Sequence, residues 1–124
     1  MYQTAVYFKE NFAIKDSLEK IMDDWNRMAY EKYTTDIPLK SGVRAFLDKL
    51  KWKKIPCGIA TSNSRILTEA ILKSHQVEDY FSAMVTGDEI INGKPDPEVY
   101  LEAAKKLGAN PERCLVFEDI PFGI

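Results

Sequence analysis

An α/β fold built on a parallel sheet is what this sequence predicts, and three observations carry the prediction. From Ser41 onward, helical periodicity and short apolar runs alternate as helix, strand, helix, strand, helix, strand. The apolar runs, Cys57–Thr61, Met84–Thr86 and Cys114–Phe117, are continuous rather than alternating, as expected of parallel strands covered on both faces. Polar groups follow each run, where such sheets place their ligands.

Composition sets the outer bounds. The chain has 124 residues, 45% hydrophobic and 29% charged, which fits one small globular domain. A net charge of −2 gives no electrostatic support for nucleic-acid binding. No apolar run approaches the roughly 20 residues that span a bilayer, and no signal peptide is visible, so a cytoplasmic setting is the default and no membrane partner is expected. Cys57 and Cys114 lie in apolar runs and read as small buried thiols. A single histidine, His75, makes a zinc site improbable.

Taken in order, Val6, Tyr7 and Phe8 are apolar and are interrupted by Lys9, Glu10 and Asn11, which predicts a helix end and a turn. Leu18, Ile21, Met22, Trp25, Met28 and Ala29 follow helical spacing, so an amphipathic helix is expected from about Asp16 to Tyr33, opened by Asp16-Ser17. The adjacent acids Asp23 and Asp24 point about 100° apart on such a helix and read as a solvated face. Thr34–Pro38 is a connection, and the boundary between a helical part, residues 1–35, and the remainder, 36–124, is placed there. A second helix begins near Ser41 and ends in Lys51-Trp52-Lys53-Lys54, whose cations suit a helix C-terminus. Pro56 stops it. Ser62-Asn63-Ser64 has the chemistry of a loop and helix cap, leading into a helix to about Ser74. Gly87–Gly93 is loop, and Asp88-Glu89 within it has no companion feature. A helix runs from Pro97, with Asp96 as N-cap, to Gly108 as C-cap. There are no internal repeats.

The least ordinary stretch is Gly93-Lys94-Pro95-Asp96-Pro97. It fixes one cation in a stiff turn just ahead of a helix start, an arrangement that suits an anion such as phosphate. A solvated surface lysine is the plainer reading of these five residues alone. Thr61, with the amides of Ser62 and Asn63, can cradle a phosphate, or simply cap the next helix. Glu118 and Asp119, adjacent at the end of the third apolar run, place two hard oxygen ligands where Mg²⁺ can use them, or mark a polar strand exit.

Together, Ile59–Asn63, Gly93–Pro97 and Val116–Asp119 resemble, in order and spacing, three of the four sequence motifs of the haloacid dehalogenase superfamily. The resemblance is to its β-phosphoglucomutase-like phosphatase branch. It implies a partial Rossmann-like core over about residues 38–124, preceded by part of a helical cap. It also implies Mg²⁺-dependent phosphoryl transfer through an aspartyl-phosphate on a small phosphorylated metabolite. Thr61 would then hold the phosphoryl group with the Ser62 and Asn63 amides, Lys94 would neutralise charge as a catalytic residue, and Glu118 and Asp119 would hold the metal.

The superfamily's remaining motif, Asp-x-Asp-Gly-Thr, supplies the nucleophile, and no Asp-x-Asp occurs in this sequence. The expectation is therefore a segment of such an enzyme, inactive as this chain, with unpaired strand edges that favour self-association. A non-catalytic phosphate- or metabolite-binding protein and an assembly subunit are the alternatives. A dinucleotide-binding protein is disfavoured, because no Gly-rich strand-to-helix turn is present.

Overall fold

A computed structural model describes residues 2–119 and 121. The chain forms two compact units, residues 1–37 and 38–124.

The first unit is a pair of helices, α1 (Tyr2–Asn11) and α2 (Leu18–Thr35). The expected helix end and turn fall at Asn11–Ala13, where Ala13 takes a φ of 51°. Ser17 caps α2 by accepting the Lys20 N–H at 3.2 Å, and the helix runs two residues past Tyr33. Ala5 and Ile21 are buried, and the Phe8 ring meets Trp25 edge-on at 5.5 Å. Asp24 pairs with Lys20 and Arg27 on the exposed face, as expected of a solvated acidic position.

The second unit contains α3 (Val43–Trp52), β1 (Gly58–Ala60), α4 (Arg65–Ser74), β2 (Ala83–Val85) and α5 (Glu98–Lys106). The strands are parallel, with Gly58, Ile59 and Ala60 paired to Ala83, Met84 and Val85. This is the α/β class that the alternation predicts. One face is covered by α5, whose Val99 and Ala103 pack with Val85, flanked by Ala60, Ile90 and Tyr100. β1 is shorter than its five-residue apolar run, whereas β2 has the expected three residues but starts one residue earlier, at Ala83 rather than Met84.

The three helices of this unit end alike. Each closes with the double backbone bond of a Schellman motif around a left-handed residue: Lys54 (φ 55°) after α3, Gln76 (52°) after α4 and Gly108 (65°) after α5. Gly108 is the expected glycine terminator. The other two positions carry side chains in a conformation disfavoured for L-residues.

Two expectations are corrected. Cys114–Phe117 forms no strand among the described residues, and Leu115 and Phe117 are 80% and 72% exposed. Cys114 is extended, but a strand exists only through a paired neighbour, and apolar character cannot supply one. Cys114 is accordingly exposed rather than buried. Cys57 is half-buried, and desolvation pushes its thiol pKa up. No described helix is long and apolar enough to cross a membrane.

Candidate functional site

The carboxyl ends of the two parallel strands lie on one sheet edge, and Thr61, Ser62 and Asn63 follow the first of them. β1 gives way to Thr61, whose N–H still donates to the Val85 carbonyl at 3.0 Å. The chain then turns. The Asn63 N–H donates to Thr61 Oγ1 at 3.1 Å, and Ser64 caps α4 by accepting the Leu67 N–H at 3.4 Å. Thr61 is half-buried, while Ser62 and Asn63 are exposed at the opening of α4.

This turn is pressed against the exit of β2. The Gly87 N–H donates to the Asn63 carbonyl at 2.9 Å. A Cβ added at Gly87 would lie 2.4 Å from the Ser62 carbonyl oxygen, so only glycine allows the two backbones to come this close.

Lys94 stands beyond the second strand, joined to Pro95 by a cis peptide bond. The α5 helix begins at Glu98, one residue later than expected, and Asp96 Oδ1 accepts the Glu98 N–H at 2.9 Å. Glu98 in turn accepts the N–H groups of Ile91 and Asn92 at 2.9 and 2.8 Å, which folds the loop back onto the helix start.

The Lys94 ammonium forms an ion pair with Glu118 Oε2 and lies 4.9 Å above the Tyr100 ring. The Tyr100 hydroxyl donates to the same Glu118 oxygen at 2.9 Å. The Lys94 and Glu118 side chains are only 18% and 10% exposed. Desolvation works to lower the Lys94 pKa, but the Glu118 and Tyr100 hydrogen bonds outweigh it and the net shift is upward. Lys94 is therefore a fixed, mostly buried cation rather than a solvated surface lysine.

Asp119 goes elsewhere. Its carboxylate meets Lys40, and these side chains are 67% and 76% exposed. The two adjacent acids thus differ in availability. An exposed pair is worth about 0–1 kcal/mol and opens readily, whereas removing one partner of a mostly buried pair costs several times more. Asp119 fits Mg²⁺, a hard cation that takes one or two carboxylates and completes its shell with water and phosphate oxygens. Glu118 is held by Lys94 and Tyr100. Among the described residues no three His, Cys, Asp or Glu side chains converge.

The structure thus joins Lys94 to Glu118, sets Thr61, Ser62 and Asn63 against the β2 exit, and directs Asp119 towards Lys40. Sequence reasoning passes over two residues. Tyr100 is hidden in the apolar periodicity of α5, although a tyrosine at a core-facing position needs a hydroxyl partner and so hints at one. Glu89 reads as loop, but its carboxylate gathers Thr86, Arg65 and Lys106. Thr86 is a local neighbour, but Arg65 and Lys106 lie 24 and 17 residues away, where no local pattern reveals them.

Comparison with known proteins matches residues 2–124 to the family described as haloacid dehalogenase-like hydrolase. A phosphorylated carbohydrates phosphatase of Thermotoga maritima is 36% identical over 115 residues, covering 93% of this chain and 53% of that protein. A validoxylamine A 7′-phosphate phosphatase of Streptomyces hygroscopicus is 35% identical over 83 residues, covering 67% of this chain and 39% of that one. A crystal structure from Thermotoga maritima, provisionally described as a β-phosphoglucomutase, superposes with a TM-score of 0.79 at 35% identity, covering 98% of this chain and 56% of that one. The chain spans about half the length of the first of these relatives.

Proposed function

The chain belongs to the haloacid dehalogenase-like hydrolase family, and from that premise we propose that it is the phosphate-holding part of a Mg²⁺-dependent phosphatase or phosphomutase for a small phosphorylated metabolite. Residues 36–124 are its share of the catalytic core, and residues 1–35 its share of a helical cap. The observation that supports this reading most is the mostly buried Lys94 cation, seated on Glu118 and Tyr100 in the segment that follows β2. A fixed cation in a partly dehydrated site suits a dianionic phosphoryl group, and phosphoryl transfer rests mainly on positioning and charge stabilisation.

In this reading Thr61 Oγ1 and the Ser62 amide hold phosphate oxygens, with Asn63 shaping the turn beneath them. Lys94 neutralises the charge that builds up at the phosphoryl group. Asp119 and Glu118 would hold the Mg²⁺, and Glu118 also orients Lys94. The metal, when bound, neutralises a further phosphate oxygen.

The covalent step of the family requires a carboxylate nucleophile in an Asp-x-Asp motif, and this sequence has none. The chain by itself therefore binds phosphate without turning over a phosphate ester. Assay of the purified chain with p-nitrophenyl phosphate and Mg²⁺ tests this. Hydrolysis at the buffer rate is expected, and Mg²⁺-dependent turnover abolished by Lys94→Ala overturns it.

A further inference from the structure

Glu89 is the hub of the turn that follows β2. Its Oε1 accepts the Thr86 N–H at 3.1 Å, the Thr86 hydroxyl at 3.0 Å and an Arg65 guanidinium N–H at 2.5 Å. Its Oε2 accepts from the Lys106 ammonium at 2.5 Å. Lys106 foremost, with Thr86 and Arg65, holds the carboxyl at about 2 despite some desolvation. The side chain remains 29% exposed, so the ion pairs alone are modest contributors. What they hold in place is the more telling point.

Thr86 is fully buried, and Arg65 is the first residue of α4, directly after the Thr61–Ser64 turn. The Asp88 carboxylate accepts the Arg65 N–H at 2.7 Å, and Gly87 donates to Asn63. Within itself the Thr61–Ser64 turn has little to fix it beyond the Asn63–Thr61 bond and the Ser64 cap. Val85 and Thr68 tie down its two ends, Gly87 and Asp88 brace it from the β2 exit, and Glu89 secures that second turn to α4 through Arg65 and to α5 through Lys106.

We propose that Glu89 is a positioning residue for the Thr61–Asn63 turn, acting through Thr86–Gly87 and Arg65 to hold it in the shape that receives an anion. The inference rests on the phosphate reading above and adds the element that preorganises it. A binding turn held in place beforehand does not have to be ordered by its ligand.

An NMR titration of the ¹⁵N-labelled chain with inorganic phosphate tests this, comparing wild type, Glu89→Gln and the surface control Glu102→Gln. Glu89→Gln should stay folded by circular dichroism. Its Ser62, Asn63 and Arg65 amide signals should move before phosphate is added. Its phosphate Kd should rise about tenfold, the lower end of what losing an outer partner of a ligating group costs in metal sites. The control should change neither. A folded Glu89→Gln with unmoved amides and wild-type Kd overturns the proposal. Should wild type take no phosphate, the anion reading fails. Positioning is then decided by the phosphate-free amide signals of Glu89→Gln: moved signals support it and unmoved signals overturn it. Should Glu89→Gln unfold, Arg65→Gln, which leaves Glu89 on Thr86 and Lys106, is judged by the same criteria.

Discussion

Lys94 and Glu118, 24 residues apart in the chain, form the least exposed of the described ion pairs, with the Tyr100 ring beneath one and its hydroxyl on the other. The two groups depend on each other, because a mostly buried charge that loses its partner keeps its desolvation penalty. Glu118→Gln should therefore destabilise the fold by about 2–3 kcal/mol in urea unfolding. Tyr100→Phe, which keeps the ring and loses one donor to a charged group, should cost about 1.5 kcal/mol. Equal and negligible losses in the two variants would mean that the pair is solvated.

Glu89 makes a prediction with pH. Its folded pKa lies at about 2, below the ordinary 4.5. A depressed carboxyl stabilises the fold fully above its unfolded value, and the contribution disappears as pH falls through the folded one. The stability difference between wild type and Glu89→Gln should be constant from pH 7 to pH 5 and shrink steadily from there towards pH 2. A difference that does not change across that window contradicts the network.

The helix ends offer a gain in stability. Lys54 and Gln76 occupy left-handed positions where glycine carries no steric cost. Lys54→Gly and Gln76→Gly should each stabilise the chain by about 0.5–1 kcal/mol, since the left-handed conformation costs an L-residue about 1–2 kcal/mol and glycine's unfolded-state entropy takes part of that back. Thermal unfolding measures it, and a loss at both positions would contradict the assigned geometry.

Leu115, Val116 and Phe117 leave a run of exposed apolar side chains in the second unit. Such a stretch favours association. Sedimentation velocity should show concentration-dependent self-association that Leu115→Lys with Phe117→Ser reduces. A monomer at all concentrations would remove that expectation.

The parts of the fold legible in the sequence are those set by local pattern. Ser17 and Ser64 cap the helices they were expected to open, Gly108 ends α5, the apolar run at 57–61 contains β1, and the run at 84–86 overlaps β2, which begins one residue earlier. The run at 114–117 has the same character and forms no strand, because pairing depends on a neighbour that composition does not specify. Within the candidate site, the short motifs placed Thr61 and Lys94 near strand exits. They could not show that Glu118 would turn to Lys94 while the adjacent Asp119 turned to Lys40, since both outcomes depend on contacts far apart in the chain. Glu89 reads as loop for the same reason, because Arg65 and Lys106 reach it from other elements.

In the proposed function, Lys94 and Thr61 form an anion site that works without the nucleophile. Isothermal titration of the purified chain with inorganic phosphate in the presence of Mg²⁺ tests it most directly. Saturable binding is predicted, weakened at least tenfold by Lys94→Ala, since the loss of a charge-assisted hydrogen bond is worth about 1.5–3 kcal/mol. No heat at millimolar phosphate, or an isotherm that Lys94→Ala leaves unchanged in a folded protein, would contradict it.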